Sequence, residues 1–133
     1  MTDAQHEKLQ AYAREVADQM RLKDWEIEVE KDEPEDDSDF ACSGPAYGRK
    51  YATIRVCDDF FKAKPDEQRQ TICHELIHCC LAAPTRYVDT LTDEHDLTKA
   101  QRKAFHSHLE YSIDGLADAF APFMPLPPNF DIE

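Results

Sequence analysis

Apolar residues near the start of the chain fall at Leu9, Tyr12, Ala13, Val16 and Met20, with charged and polar residues between them. Steps of three and four follow the helical turn, so the spacing predicts an amphipathic helix over 3–23. The period then shortens to two: in WEIEVE, Trp25, Ile27 and Val29 alternate with Glu26, Glu28 and Glu30. That is the signature of a half-buried strand. KDEPEDDSD, residues 31–39, holds six acids and a proline. It reads as a solvated loop, without the glycine and closing glutamate of an EF-hand calcium loop. The glycines and proline of CSGPAYG predict turning, and KYATIRVCDD supplies a second strand with Ala52, Ile54 and Val56 on one side. The two strands are expected to pair antiparallel.

Phe60 and Phe61 lead into a helix that starts at Pro65, where the fixed proline angle suits a first helical position, and runs over 66–83. Pro84 is expected to end it, with APTRYVDTLTDEHD as a polar connection. From about Leu97 to Phe120 the helical period returns through Phe105, Leu109, Ile113 and Leu116, with Thr98 as a start cap. Gly115 lies inside that helix at a cost of about 1 kcal/mol. APFMPLPPNFDIE cannot be helical, because proline lacks a donor. The pattern predicts an α+β fold in one domain, 1–133. It has an N-terminal helix, a small antiparallel sheet, two long helices and a Pro-rich tail over 121–133 that packs across the domain's own surface.

Charge and hydropathy each argue against one class of partner. With 28 acidic against 15 basic side chains the net charge is −13, which opposes nucleic acid phosphates. No stretch has the roughly 20 apolar residues needed to cross a bilayer. The five cysteines are odd in number and the first residues carry no export signal. Free thiols in a reducing cytoplasm are therefore expected.

The chemistry concentrates in CHELIHCC, residues 73–80. On a helical wheel Ile72, Leu76, Cys79, Cys80 and Ala83 form an apolar stripe, while Thr71, His74, Glu75 and His78 gather on the other side. Residues four apart lie one turn above each other, so both imidazoles can reach one ion at the roughly 2.0–2.1 Å that zinc requires. Glu75, about 100° round from His74, is offset from that chelate and suited to stand beside a water as general base. Cys79 and Cys80 point opposite the histidines and Cys73 lies at the boundary, and all three are expected to pack in the core as small apolar residues.

A catalytic zinc needs a third protein ligand and one open position. Asp93, Glu94, His95, His106, His108, Glu110 and Asp114 are the downstream candidates. The last helix puts Glu110 and Asp114 four apart on one face, with His106 one turn earlier. HELIH followed by Glu110-x-x-x-Asp114 resembles the gluzincin pattern of thermolysin-like metallopeptidases. The resemblance covers little more than the two helices. It implies a zincin-like minimal scaffold with His74, His78 and Glu110 as Zn2+ ligands, Glu75 as general base and Asp114 as acceptor for a ligand imidazole. It also implies that the strand before the active-site helix forms the rim along which an extended substrate lies. His78 and Glu110 stand 32 positions apart, longer than in the thermolysin type, and the chain has no large C-terminal subdomain. The similarity is therefore to minimal gluzincins or to small phage and bacterial cytoplasmic metallopeptidases. A metzincin would continue His-x-x-Gly-x-x-His from His78, where CLAAPTRYV stands. A SprT-like arrangement would use a later histidine, His95 or His106. For the oxyanion, His106 is the preferred donor, with Tyr87 and Tyr111 as alternatives.

These readings converge on a zinc-dependent endopeptidase acting on a protein or peptide. A zinc-stabilised, non-catalytic binding module working through its acidic surface is the alternative. The tail, which follows the ligand helix, is a candidate to lie in the cleft and restrain activity.

Overall fold

A computed structural model describes residues 1–35, 41–45 and 49–132, with residues 41–45 by their backbone alone. The acidic loop expected over 31–39 is described only to residue 35, where it is irregular and, Pro34 apart, exposed. The chain begins with α1 (Asp3–Gln19), which ends four residues short of the expected boundary. Thr2 caps it through a reciprocal bond with Gln5. Three strands follow, β1 (Glu26–Val29), β2 (Ala41–Pro45) and β3 (Tyr51–Val56). The short α2 (Asp59–Lys62) leads to α3 (Pro65–Cys80), α4 (Ala82–Asp93) and α5 (Lys99–Phe120). A single 3-10 turn, Ala121–Phe123, opens the tail that was expected to hold no helical turn.

The α+β class stands, but the sheet is mixed. β3 lies in the middle, parallel to β1 and antiparallel to β2. The antiparallel pairing expected of WEIEVE and KYATIRV is therefore corrected to a parallel one. The cause is β2, a strand within a segment whose glycine and proline signal a turn. At a sheet edge those residues are tolerated, since one side of the backbone needs no ladder partner. Two reversals, before and after β2, leave β1 and β3 running the same way.

Alternation decides the buried face: Ile27 and Val29 of β1 and Ala52, Ile54 and Val56 of β3 point inward. They meet Leu9, Tyr12, Ala13, Val16 and Ala17 of α1 and Ile72, Cys73, Leu76 and Ile77 of α3. Each such large side chain contributes about 1.5–3 kcal/mol on burial. α1 also closes the outer edge of β1. Gln10 accepts from Val29 N–H at 2.7 Å and donates to the Ile27 carbonyl at 2.8 Å, and His6 Nε2–H donates to the Val29 carbonyl. Arg14 donates to the Trp25 and Leu22 carbonyls. These side chains replace a strand neighbour and block that edge.

Pro84 does not end a helical region. α3 stops at Cys80, and after Leu81 the chain forms α4, with Pro84 in its first turn. The first amides of a helix have no intrahelical partner, so proline there forfeits no bond. The connection expected over APTRYVDTLTDEHD is thus mostly helix. Ala83 belongs to α4 and is exposed, and Cys80 is exposed too, so neither completes the apolar stripe of α3.

The tail packs on the domain as expected, but away from the histidines. Tyr12 Oη donates to the Pro125 carbonyl at 2.8 Å, Arg69 to that of Met124 and Lys8 to that of Asn129. Phe130, 5% exposed, seats against the rings of Phe60 and Phe61. The tail is a strap over α1, α2 and the start of α3, so its contacts lie elsewhere than the cleft named as the other candidate place for it. Among the described residues no helix is long and apolar enough to cross a membrane.

Candidate metal centre

α3 is fixed at its start by Pro65 and by Glu67, whose carboxylate accepts from the Lys64 amide at 3.1 Å. Its buried face carries Ile72, Cys73, Leu76, Ile77 and Cys79. That orientation turns His74 and His78 toward α5, with 16% and 20% of their side chains exposed. α5 starts at a capping box between Thr98 and Gln101, as the sequence predicts for Thr98. It anchors through Ile113 and Ala117, one turn apart in the core. Glu110 and Asp114, a turn apart on the neighbouring flank, are thereby brought against α3, and Gln70 ties the helices further by donating to Asp118.

Four of the expected residues meet there. His74 Nε2 lies 2.9 Å from Glu110 Oε2, and His78 Nε2 lies 2.8 Å from Glu110 Oε1. One carboxylate thus spans both imidazoles. Ligand-type atoms of His74, His78 and Glu110 all fall within 4.8 Å of one another, close enough that the three could hold one metal ion. Asp114 Oδ1 stands 2.8 Å from His74 Nδ1. An Nδ1–H held by that carboxylate leaves the Nε2 lone pair facing Glu110 and His78. Glu75 Oε1 is 4.0 Å from His74 Nε2. Glu75 is only 5% exposed, more enclosed than its expected place on the open side of the wheel.

Burial lowers the pKa of His78, and the adjacent Glu110 carboxylate opposes this only in part. A neutral imidazole is the form that donates to a metal. The cysteines stay apart from the cluster. Burial pushes the Cys73 thiol up to about 11 and that of Cys79 to about 12, while Cys80, though exposed at the residue level, is also raised by its partial burial. Such thiols favour the protonated, inert form.

His106 stands outside the three-ligand group, with Nε2 3.0 Å from Asp89 Oδ1 of α4. Its charge is close enough to disfavour protonation of His78. Asp89 also accepts from Arg102 Nε at 2.7 Å. Burial raises the Asp89 carboxyl, but the bonds from His106 and Arg102 outweigh that and hold it below its ordinary value. Asp89 has no counterpart among the sequence-derived candidates, because its segment reads as a connection. The signal was the helical spacing of Leu81, Thr85, Val88 and Leu91. His95 lies beyond α4 with a φ of 64°, and His108 is exposed; neither joins the cluster, nor do Asp93 and Glu94. Tyr87 and Tyr111 are 65% and 82% exposed.

In comparisons with known proteins, no family model, no curated protein and no solved structure matches this chain.

Proposed function

We propose that this chain is a zinc-dependent endopeptidase in which Glu75 serves as general base. The observation that carries the reading is the convergence of His74, His78 and Glu110, with the Glu75 carboxylate 4.0 Å from His74 Nε2. Two imidazoles and one carboxylate are a donor set that zinc uses in catalytic sites, with a fourth position left for water or substrate. The Glu110 carboxylate reaches one imidazole through each oxygen, at 2.9 and 2.8 Å, and one ligand atom from each of the three residues lies within 4.8 Å of the other two. The residues therefore fit the ion. Bound there, zinc would supply Lewis acidity toward a carbonyl and lower the pKa of a water toward about 7.

The remaining steps belong to side chains. His74 and His78 hold the ion from α3, Glu110 closes the set from α5, and Asp114 fixes the His74 ring. Glu75 accepts a proton from the attacking water and delivers it to the departing amine nitrogen. As the imidazolium, with a proton on both ring nitrogens, His106 would give Nε2–H to Asp89 and keep Nδ1–H to donate toward the carbonyl oxygen as it gains charge. The strand before the active-site helix, β3, was expected to form the substrate rim, but it lies in the middle of the sheet with both edges paired, so that role passes to an edge strand. The outer edge of β1 is closed by Gln10 and His6, whereas β2, the opposite edge, packs beside α3 and has β3 as its strand partner among the described residues. An extended protein or peptide substrate would add along β2. Free buried thiols and strong acidity agree with a cytoplasmic setting and a polypeptide partner.

Glu75→Gln tests the reading. The variant should keep its zinc and lose turnover of a mixed peptide library that the wild type cleaves. Equal cleavage by both proteins would remove Glu75 from the chemistry. No cleavage by a zinc-loaded wild type would leave a zinc-stabilised binding module instead.

A further inference from the structure

The outward flank of α5, turned away from Glu110, carries no charge from Ser112 to Phe120, although 32% of the chain's residues are charged. Two rows lie side by side on it. Ser112, Gly115 and Ala119 form a shallow groove of small residues. Leu116 and Phe120, one turn apart, form a ridge at 37% and 47% exposure, and Phe123, three residues past the helix end, is 81% exposed. Gly115 is costly inside a helix, by about 1 kcal/mol against alanine. Among the described residues nothing requires it, since a Cβ there would meet no atom within 4 Å. A glycine without an internal reason, beside exposed aromatic side chains, suits the close approach of another backbone.

We propose that this face of α5 pairs with the same face of a second copy of the chain. A twofold rotation sets the ridge of each copy into the groove of the other, as an isologous contact demands. The charge-free flank is also where two copies of net charge −13 can touch with least repulsion. The ridge and Phe123 leave roughly 300 Å² of apolar side chain per copy in water, taking about 150–250 Å² for each large side chain. Over both copies that is about 600 Å², below the roughly 1,200 Å² of total buried surface in a permanent interface. The pairing is therefore a weak, concentration-dependent dimer, strengthened by salt as repulsion is screened. The metal-binding flank points away and stays open, so the proposal does not depend on the peptidase reading.

Sedimentation equilibrium of the full chain, from micromolar to millimolar concentration and at low and high salt, tests this. The average mass should climb from 15.3 kDa toward twice that value, further in high salt. Phe120→Glu should raise the dissociation constant at least about tenfold. Gly115→Leu should also weaken pairing by blocking close approach, while raising the melting temperature as a better helix former. A wild type that stays monomeric at millimolar concentration in high salt overturns the proposal. So does a Gly115→Leu variant that associates as strongly as wild type, because a merely sticky surface would gain from the added leucine.

Discussion

Removing the Asp114 carboxylate isolates one link of the metal site. Asp114 holds His74 Nδ1 at 2.8 Å and is not itself a ligand in the proposed set. Its loss frees the ring to rotate and to carry its proton on either nitrogen, which weakens the donor at Nε2. Partners of this kind are worth about 10–100-fold in metal affinity. With 68% of its side chain exposed, Asp114 leaves room for water to take over part of the role. Asp114→Ala should therefore weaken zinc binding about tenfold, or about 1.4 kcal/mol. Asp114→Asn keeps an acceptor oxygen and should lose less. Asp118→Ala is the control: one turn further on, it bonds Gln70 and not a histidine. Competition against a chromophoric chelator at neutral pH measures all three. An Asp114→Ala protein that binds zinc like wild type refutes the reasoning, as does an equal loss in Asp118→Ala.

Phe130→Ala should destabilise the fold by about 3 kcal/mol, lowering the melting temperature by roughly 10 °C, because the ring is 5% exposed against Phe60 and Phe61. Zinc affinity of the folded variant should not change, since the strap lies away from the histidines; calorimetry and a zinc titration check both. His106→Ala should lower kcat by about 10²–10³ with little change in KM, and Asp89→Asn by less, in steady-state peptide hydrolysis. Asp89 gives a pH signature too. A carboxyl held below its ordinary value adds stability above that value and loses it as pH falls through the folded pKa. The melting-temperature gap between wild type and Asp89→Asn should thus narrow below about pH 4. Iodoacetamide at pH 8 should spare Cys73 and Cys79 in the native chain and label them in urea, as mass spectrometry of the peptides will show.

Where local periodicity governs, the fold was legible in the sequence. The boundaries of α5, the Thr98 cap, the inward faces of β1 and β3 and the shared face of Glu110 and Asp114 follow from steps of two, three and four residues, whereas the approach of that face to His74 was implied only by the resemblance of the motif. β2 was not legible, because Gly44 and Pro45 signal a turn and only its edge position admits them to a sheet. The parallel pairing of β1 and β3 follows from β2 and was lost with it. α4 was hidden by Pro84, which is as compatible with a first turn as with a helix end, and Asp89 was hidden with α4. Glu75 shows a limit of the wheel: it assigns a direction round one helix but not how closely neighbouring elements enclose it. Cys80 erred the other way, since the stripe it continues runs past the end of the packed core.

Calorimetric titration of the metal-free chain with Zn2+ bears most directly on the central claim. One tight site per chain is expected in the wild type and in Glu75→Gln, and binding should fall at least about 100-fold in His74→Ala, His78→Ala and Glu110→Ala. A wild type that takes up no zinc, or a His78→Ala protein that binds it undiminished, would contradict the account.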